Sequence, residues 1–144
     1  MSDAFEKEVE RLPHGPEFRF VDRLLSLVPG REGVGEYRVR GDEPFLRGHF
    51  PGDPIFPGVL LTEAAAQVAG VVAQSDPNVT PLKDLKLTAL RNVKILGTAR
   101  PGETIQTSVT IAGRLGGLIQ ADAKSHVGDH LILEASLTLG GQEA

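Results

Sequence analysis

The sequence predicts an α+β fold in which a curved antiparallel β-sheet is wrapped around one long central helix. Residues 59–74 are apolar on almost every face, which is typical of a helix inside a core. Six other segments alternate polar and apolar residues between turns rich in glycine or proline, which is typical of antiparallel strands. A single sheet with one apolar face can bury such a helix by curving over it.

The elements are predicted in a simple order. An amphipathic helix at residues 3–11 begins with Asp3 and Glu6 at capping-box spacing. A hairpin follows, with strands at residues 18–28 and 34–40, and the central helix comes next. The last four strands are predicted at residues 85–96, 104–112, 118–127 and 131–139. Because the turns between them are short, strands adjacent in sequence are expected to pair.

Composition limits the classes of protein to consider. At 144 residues and 15.4 kDa the chain, residues 1–144, has the size of a single domain. It contains no cysteine, which excludes disulfides, thiolate metal sites and cysteine nucleophiles. A net charge of −4 argues against nucleic acid as a partner. Without a basic and apolar leader or a membrane-length apolar run, we expect a cytoplasmic protein with no membrane partner.

A loop at residues 48–58 is the most informative segment. It places three prolines and three glycines around His49, so the backbone that holds the imidazole has little freedom. The helix that follows carries Glu63. A histidine and a carboxyl group supplied by neighbouring elements suit proton-transfer chemistry. The alternative is a proline-rich connection with a histidine that is satisfied in the core.

The central helix carries one polar stripe. Glu63, Gln67, Gly70 and Gln74 have the spacing i, i+4, i+7 and i+11 and therefore share one narrow face. Because burying a polar group without a partner is costly, this face needs partners or a cavity.

Positive charge is concentrated between residues 83 and 100, where five basic residues stand against one acid. This excess suits an anionic partner, although such charges also solvate the outer face of a strand. The basic residues are Lys83, Lys86, Arg91, Lys94 and Arg100.

Three groups of residues resemble the FabZ/FabA-type β-hydroxyacyl-acyl-carrier-protein dehydratases. The strongest match is Gly48-His49-Phe50-Pro51-Gly52, with Pro54 and Pro57-Gly58-Val59-Leu60, continuing into Glu63-Ala64 and Ala66-Gln67. The opening Leu12-Pro13-His14, with Phe18 and Val21-Asp22-Arg23, also matches, as do Asn92-Val93-Lys94 and Arg100-Pro101-Gly102-Glu103. The resemblance covers about residues 12–139.

The resemblance implies a hotdog fold and dehydration of (3R)-hydroxyacyl thioesters to trans-2-enoyl thioesters in fatty-acid or related biosynthesis. It assigns His49 as the base and Glu63 as the acid, and the glutamate points to the FabZ branch, since the FabA branch has aspartate there. Removing a proton from C2 and protonating the hydroxyl on C3 needs one base and one acid, so no cofactor and no metal are expected.

The thioester is expected to lie against the start of the central helix. The first N–H groups of a helix have no intrahelical partner, and those of Gly58 and Val59 suit the charge that develops on the thioester oxygen. Phe50, Phe56 and Gln67 complete the predicted substrate-binding set. His14 is expected to be structural. His126 and His130 are expected to face solvent, and a metal site from His49, His126 and Asp129 is the alternative.

The family also implies partners. The substrate is carried by acyl carrier protein or coenzyme A, and the basic residues between 83 and 100 are expected to dock it. Two subunits share each active site in a homodimer, and dimers of the family also form hexamers. The chain departs from the family at Ile95-Leu96-Gly97-Thr98, where basic residues and a proline are usual, and at Phe56, where methionine is usual.

Two other functions remain open from the sequence. A thioesterase would use Glu63 to activate water and leave His49 without a role. A non-catalytic protein that binds acyl thioesters would need neither residue.

Overall fold

The structure is a computed structural model that describes residues 4–143, and it confirms the predicted α+β fold. One antiparallel sheet of six strands has the order β1-β2-β4-β5-β6-β3. The helices are α1 Glu6–Glu10 and α2 Gly58–Ala73, and short 3₁₀ turns occupy Pro16–Phe18 and Pro44–Arg47. The strands are β1 Arg23–Val28, β2 Glu32–Arg38, β3 Lys83–Ile95, β4 Thr104–Leu115, β5 Leu118–Val127 and β6 His130–Gln142.

Helix α2 forms the centre of the core, and β2 packs directly on it. A Cβ atom at Gly35 would lie 2.8 Å from a methyl carbon of Val68, and one at Gly33 would lie 2.8 Å from a methyl carbon of Val72. The two glycines therefore allow backbone and helix to approach closely. Burial of each large apolar side chain on this helix, such as Leu61, stabilises the fold by about 1.5–3 kcal/mol.

The position of β3 differs from the prediction that strands adjacent in sequence pair. β3 pairs with β6, and β4 lies between β2 and β5. The connection at residues 96–103 crosses one end of the sheet. The N–H of Leu96 donates to the carbonyl of Ile132 (2.8 Å), and the N–H of Val39 donates to that of Glu103 (2.9 Å). The crossing leaves β3 at an edge of the sheet.

The N-terminal elements are shorter than predicted. Helix α1 begins at Glu6, its N-cap residue Phe5 makes no side-chain capping bond, and the predicted cap at Asp3 lies outside the described residues. Strand β1 begins at Arg23 instead of residue 18, because Pro16–Phe18 forms a 3₁₀ turn and the N–H of Phe20 bonds to a side chain of α2. No helix within residues 4–143 combines the length and apolar character required to cross a bilayer.

Candidate active site

The imidazole of His49 has a defined orientation in its loop. Its Nδ1 lies 2.9 Å from the carbonyl oxygen of Ile55. Since a carbonyl oxygen only accepts, Nδ1 carries the hydrogen in this contact, and the neutral ring presents the lone pair of Nε2. A turn within the loop, from the N–H of Asp53 to the carbonyl of Phe50 (2.9 Å), helps to keep the carbonyl of Ile55 in place. The ring is therefore oriented to accept a proton at Nε2.

Aromatic side chains anchor both ends of this loop in the core. Phe45 precedes the loop and Phe56 lies near its end, and their ring centroids are 5.5 Å apart. Both contact Phe20, at 6.0 and 5.5 Å. The N–H of Phe56 also donates to the carbonyl of Ala99 (2.7 Å). Phe56 is 1% exposed, so in this subunit it serves as an anchor, and its contact with substrate stays a prediction.

Phe50 stands next to the catalytic candidate in an unusual backbone conformation. Its φ angle is 65°, a left-handed value that costs energy in a bulky residue. This conformation places its ring 4.6 Å from the ring of His49, and the side chain is 57% exposed. Phe50 therefore forms an apolar wall beside the imidazole, where the sequence predicted a substrate contact.

A hydrogen-bonded carboxylate holds the segment that precedes the loop. The hydroxyl of Tyr37 donates to Oε2 of Glu43 (2.6 Å), and the N–H groups of Arg40 and Gly41 donate to the same carboxylate (3.1 and 2.7 Å). Burial opposes the charge, but these bonds outweigh it and hold the pKa of Glu43 below its usual value. Burial and the bond to Glu43 raise the pKa of the Tyr37 hydroxyl.

The carboxyl group of Glu63 is positioned by two side chains. Its Oε2 accepts a hydrogen bond from Nε2 of Gln67 (3.0 Å) and lies 3.4 Å from Nε2 of His14. Gln67 cannot turn freely, because its Oε1 accepts from the N–H of Phe20 (2.7 Å) and its Nε2 also donates to the carbonyl of Phe18 (2.9 Å). Gln67, a predicted substrate-binding residue, thus fixes the orientation of Glu63. Oε1 of Glu63 has no hydrogen-bond partner within residues 4–143 and is left for another partner.

The sequence interpretation missed the location of His14. It was expected to be structural, yet its imidazole stands beside Glu63, 49 positions away in sequence, and packs on Phe18 with ring centroids 6.2 Å apart. Its Nδ1 is buried and has no hydrogen-bond partner within residues 4–143. The one available signal was its place in the opening motif Leu12-Pro13-His14, because nothing local in the sequence reports a contact across the fold.

A cavity of about 730 Å³ begins at Glu63 and extends along α2. The polar stripe lines one side of it, which explains polar residues on an otherwise buried helix. His49 is not among its lining residues, and within the described part of one subunit no contact joins His49 to Glu63. The lining includes His14, Glu63, Gln67, Gly70, Gln74, Leu82, Leu85, Leu87 and Leu139.

The start of α2 presents free N–H groups. The N–H groups of Leu60 and Leu61 both donate to the carbonyl of Pro57 (2.9 and 3.2 Å), whereas those of Gly58 and Val59 have no acceptor among the described residues. The side chain of Val59 is 72% exposed. A Cβ atom at Gly58 would lie 2.9 Å from Cδ1 of Ile95, so this glycine also makes room for the end of β3.

The predicted docking residues do not form one compact patch. Lys83, Lys86, Arg91 and Lys94 are exposed along β3, and the eleven residue steps from Lys83 to Lys94 span about 36 Å. Lys86 lines the cavity, at the end of the strand away from Ile95. Arg100 lies in the connection after β3 and pairs with Asp53 of the His49 loop (3.4 Å). Residues 4–143 contain no cluster of three potential metal ligands, so the alternative site at His49, His126 and Asp129 is not formed.

Comparison with known proteins identifies a family and a fold. The family model of the FabA-like domain matches residues 12–136. The 3-hydroxyacyl-[acyl-carrier-protein] dehydratase FabZ of Chloroflexus aggregans is 38% identical over 126 residues, which cover 88% of this chain and 87% of that protein. The FabZ of Clostridioides difficile is 37% identical over 132 residues, covering 90% of this chain and 92% of its own.

Solved structures show the same fold at low identity. The dehydratase heterocomplex ApeI:P from Xenorhabdus doucetiae superposes with a TM-score of 0.78 at 15% identity, covering 94% of this chain and 91% of that one. Zebrafish thioesterase superfamily member 2 superposes with a TM-score of 0.69 at 16% identity, covering 94% and 92%. These neighbours confirm the predicted hotdog fold, and they include both dehydratases and thioesterases.

Proposed function

Because this chain belongs to the FabA-like family, in its FabZ branch, we propose that it dehydrates (3R)-hydroxyacyl thioesters of acyl carrier protein in fatty-acid biosynthesis, with His49 as base and Glu63 as acid. The enzyme is a 3-hydroxyacyl-[acyl-carrier-protein] dehydratase, a hydro-lyase. The observation that carries the catalytic assignment is the pair of fixed groups: an imidazole whose Nε2 and a carboxyl whose Oε1 have no hydrogen-bond partner among the described residues.

The proposed reaction follows from these two groups. Nε2 of His49 removes a proton from C2, and the electrons of that C–H bond form the C2=C3 double bond. The C3–O bond breaks, and the hydroxyl leaves as water with a proton from Oε1 of Glu63. The proton on His49 then returns to Glu63 through solvent, which restores both groups. Charge on the thioester oxygen is met by the N–H groups of Gly58 and Val59 at the start of α2.

The acyl chain is proposed to lie in the cavity along α2. This cavity begins at Glu63, and its deeper wall is formed by leucines of β3 and β6. In that position C3 of the substrate lies at Oε1 of Glu63, and the thioester points out toward the surface. The chain is then removed from water while the reacting carbons stay near the mouth.

We infer that His49 of the partner subunit completes each site. Within one subunit the cavity contains Glu63 but not His49. β3 is an edge strand with no fully buried residue, and Leu90 and Ile95 on it are 43% and 50% exposed. Such an edge favours pairing with another strand. Pairing of two copies through β3 gives a homodimer with two shared sites. We expect this homodimer in the cytoplasm, and its assembly into hexamers stays a prediction.

The carrier is proposed to approach near the end of β3. Lys94 precedes Ile95, which lies beside Gly58 at the start of α2, and Arg100 pairs with Asp53 of the His49 loop. These two residues are therefore proposed to meet the carrier near the thioester, and Lys83, Lys86 and Arg91 form the remainder of the predicted surface. An acidic carrier protein or the phosphates of coenzyme A provide the complementary charge.

One assay separates this function from its alternatives. The purified protein is incubated with a crotonyl thioester, and hydration is followed by loss of the conjugated enoyl absorbance. We expect hydration by the wild type and a loss of about 10²–10⁴-fold in His49→Ala and in Glu63→Gln. Release of free thiol without hydration would make it a thioesterase. Unchanged rates in both variants would refute the assigned residues.

A further inference from the structure

The cavity continues well beyond the reacting groups. Its helical wall runs from Glu63 to Gln74, eleven residue steps that rise about 16 Å along the helix axis. The facing segment from Leu82 to Leu87 covers a similar length of about 16 Å. Opposite the helix the lining includes Leu82, Leu85, Leu87 and Leu139, together with Asp84 and Lys86. The space is therefore long, and leucine side chains form much of its wall opposite the helix.

Gln74 closes the far end of this space. Its Nε2 donates to the carbonyl of Leu82 (2.8 Å), and its Oε1 accepts from the N–H of Leu82 (3.1 Å). Both amide groups are used, so the side chain forms a cross-link between the end of α2 and the start of β3. A chain that enters at Glu63 meets this cross-link at full depth.

Gly70 leaves the middle of the cavity open. A Cβ atom added there would meet only Cδ2 of Leu85 within 4 Å, at 3.8 Å, an ordinary van der Waals distance. Gln67 and Gln74, the stripe residues on either side, carry side chains that are held by hydrogen bonds. Any larger side chain at residue 70 would therefore project into the path between them.

We propose that Gly70 and Gln74 set the upper limit on the length of the acyl chain, an inference that rests on the proposed function. An extended chain advances about 1.2 Å per bond, so about 13 bonds fit between Glu63 and Gln74. With C3 at Glu63, the cavity holds acyl groups of about 16 carbons. The path from Glu63 to Gly70 is about 10 Å, which admits about 11 carbons.

Substitution at residue 70 tests the limit. The ratio of kcat/KM for a 14-carbon substrate to that for a 4-carbon substrate is measured in Gly70→Leu, with Gly70→Val as a smaller change if the leucine variant is unstable. We expect the ratio to fall by about tenfold or more, since even one methylene misplaced in an apolar pocket costs about 10-fold or more. The matched control is Gly113→Leu, because an added Cβ at Gly113 on β4 has no neighbour within 4 Å; its ratio should equal that of wild type.

A binding measurement distinguishes failure of this inference from failure of the proposed function. Saturated acyl-pantetheine thioesters of 4 to 16 carbons lack the hydroxyl group and cannot react, and their affinities are measured by calorimetry. We expect affinity to rise with length in the wild type and to stop rising near 10 carbons in Gly70→Leu. If affinity depends on chain length in this way but the protein dehydrates no substrate, the proposed function is refuted and the length limit is not. The inference would be overturned if affinity does not change with chain length, or if it changes in Gly70→Leu as it does in wild type.

Discussion

At the scale of single residues, the site depends on which atom of each group is already occupied. Ile55 occupies Nδ1 of His49, and Gln67 and His14 both approach Oε2 of Glu63. The remaining atoms, Nε2 and Oε1, are those that the proposed reaction uses. Hydrogen bonds on the opposite atoms thus select the reactive ones, since a donor at Oε2 leaves the proton of the acid on Oε1.

His14 should therefore act as a positioning residue for Glu63. We expect His14→Ala to lower kcat about tenfold with a smaller change in KM, because the carboxyl keeps only the bond from Gln67. His14→Gln, which can still donate to Oε2, should recover part of the loss. The control is His130→Ala, at an exposed position at the start of β6. Steady-state kinetics give the comparison, and a wild-type kcat in His14→Ala would contradict this role.

At the scale of elements, the loop that carries His49 and the segment before it are held at three points. Glu43 holds the preceding segment, Phe45 and Phe56 anchor the two sides of the loop, and the connection after β3 binds Phe56 and Asp53. Prolines limit the freedom of the backbone in between. The histidine is therefore presented by a loop whose ends belong to the core.

Acid should destabilise the segment before this loop through Glu43. Because the pKa of Glu43 is lowered in the folded state, its contribution to stability is full above the unfolded pKa of about 4.3 and is lost as the pH falls through the folded pKa. We expect Glu43→Gln to lower the melting temperature at about pH 7, and the difference from wild type to shrink toward about pH 3. Thermal unfolding across this range, with exposed Glu17→Gln as control, measures it. A difference that does not vary with pH would contradict the role.

The absence of a side chain at Gly58 leaves room for two groups, Ile95 and the thioester of the substrate. Gly58→Ala should lower kcat/KM about tenfold or more, because the added Cβ keeps the thioester oxygen from the N–H groups. Adding Ile95→Ala should restore the melting temperature but not kcat/KM, with Ile95→Ala alone as the control. Full recovery of kcat/KM in the double variant would assign the glycine to the packing of Ile95 alone.

The sequence predicted the local elements of this fold and the two catalytic candidates, because periodicity and the Gly/Pro loop are local signals. It predicted strands 104–112 and 118–127 close to their observed limits. It did not predict that β3 pairs with β6, because that depends on where residues 96–103 are bonded across the sheet. The contact of His14 with Glu63 was missed for the same reason: it joins distant segments, and no pattern in either segment reports it.

At the scale of the whole molecule, the two catalytic candidates of one subunit lie in different places. Glu63 lies in the cavity, His49 lies in a loop that does not line it, and β3 is left at an open edge of the sheet. A homodimer through β3 reconciles these facts, since two copies related by symmetry can exchange the two halves. The central claim is therefore that His49 and Glu63 act across the subunit boundary.

Complementation between two inactive variants tests this claim most directly. His49→Ala and Glu63→Gln subunits with different tags are coexpressed, and the mixed dimer is isolated on both tags. One of its two sites has both native residues if sites are shared, so we predict about half of the wild-type dehydratase activity. A mixed dimer as inactive as its two parent variants would contradict a shared active site.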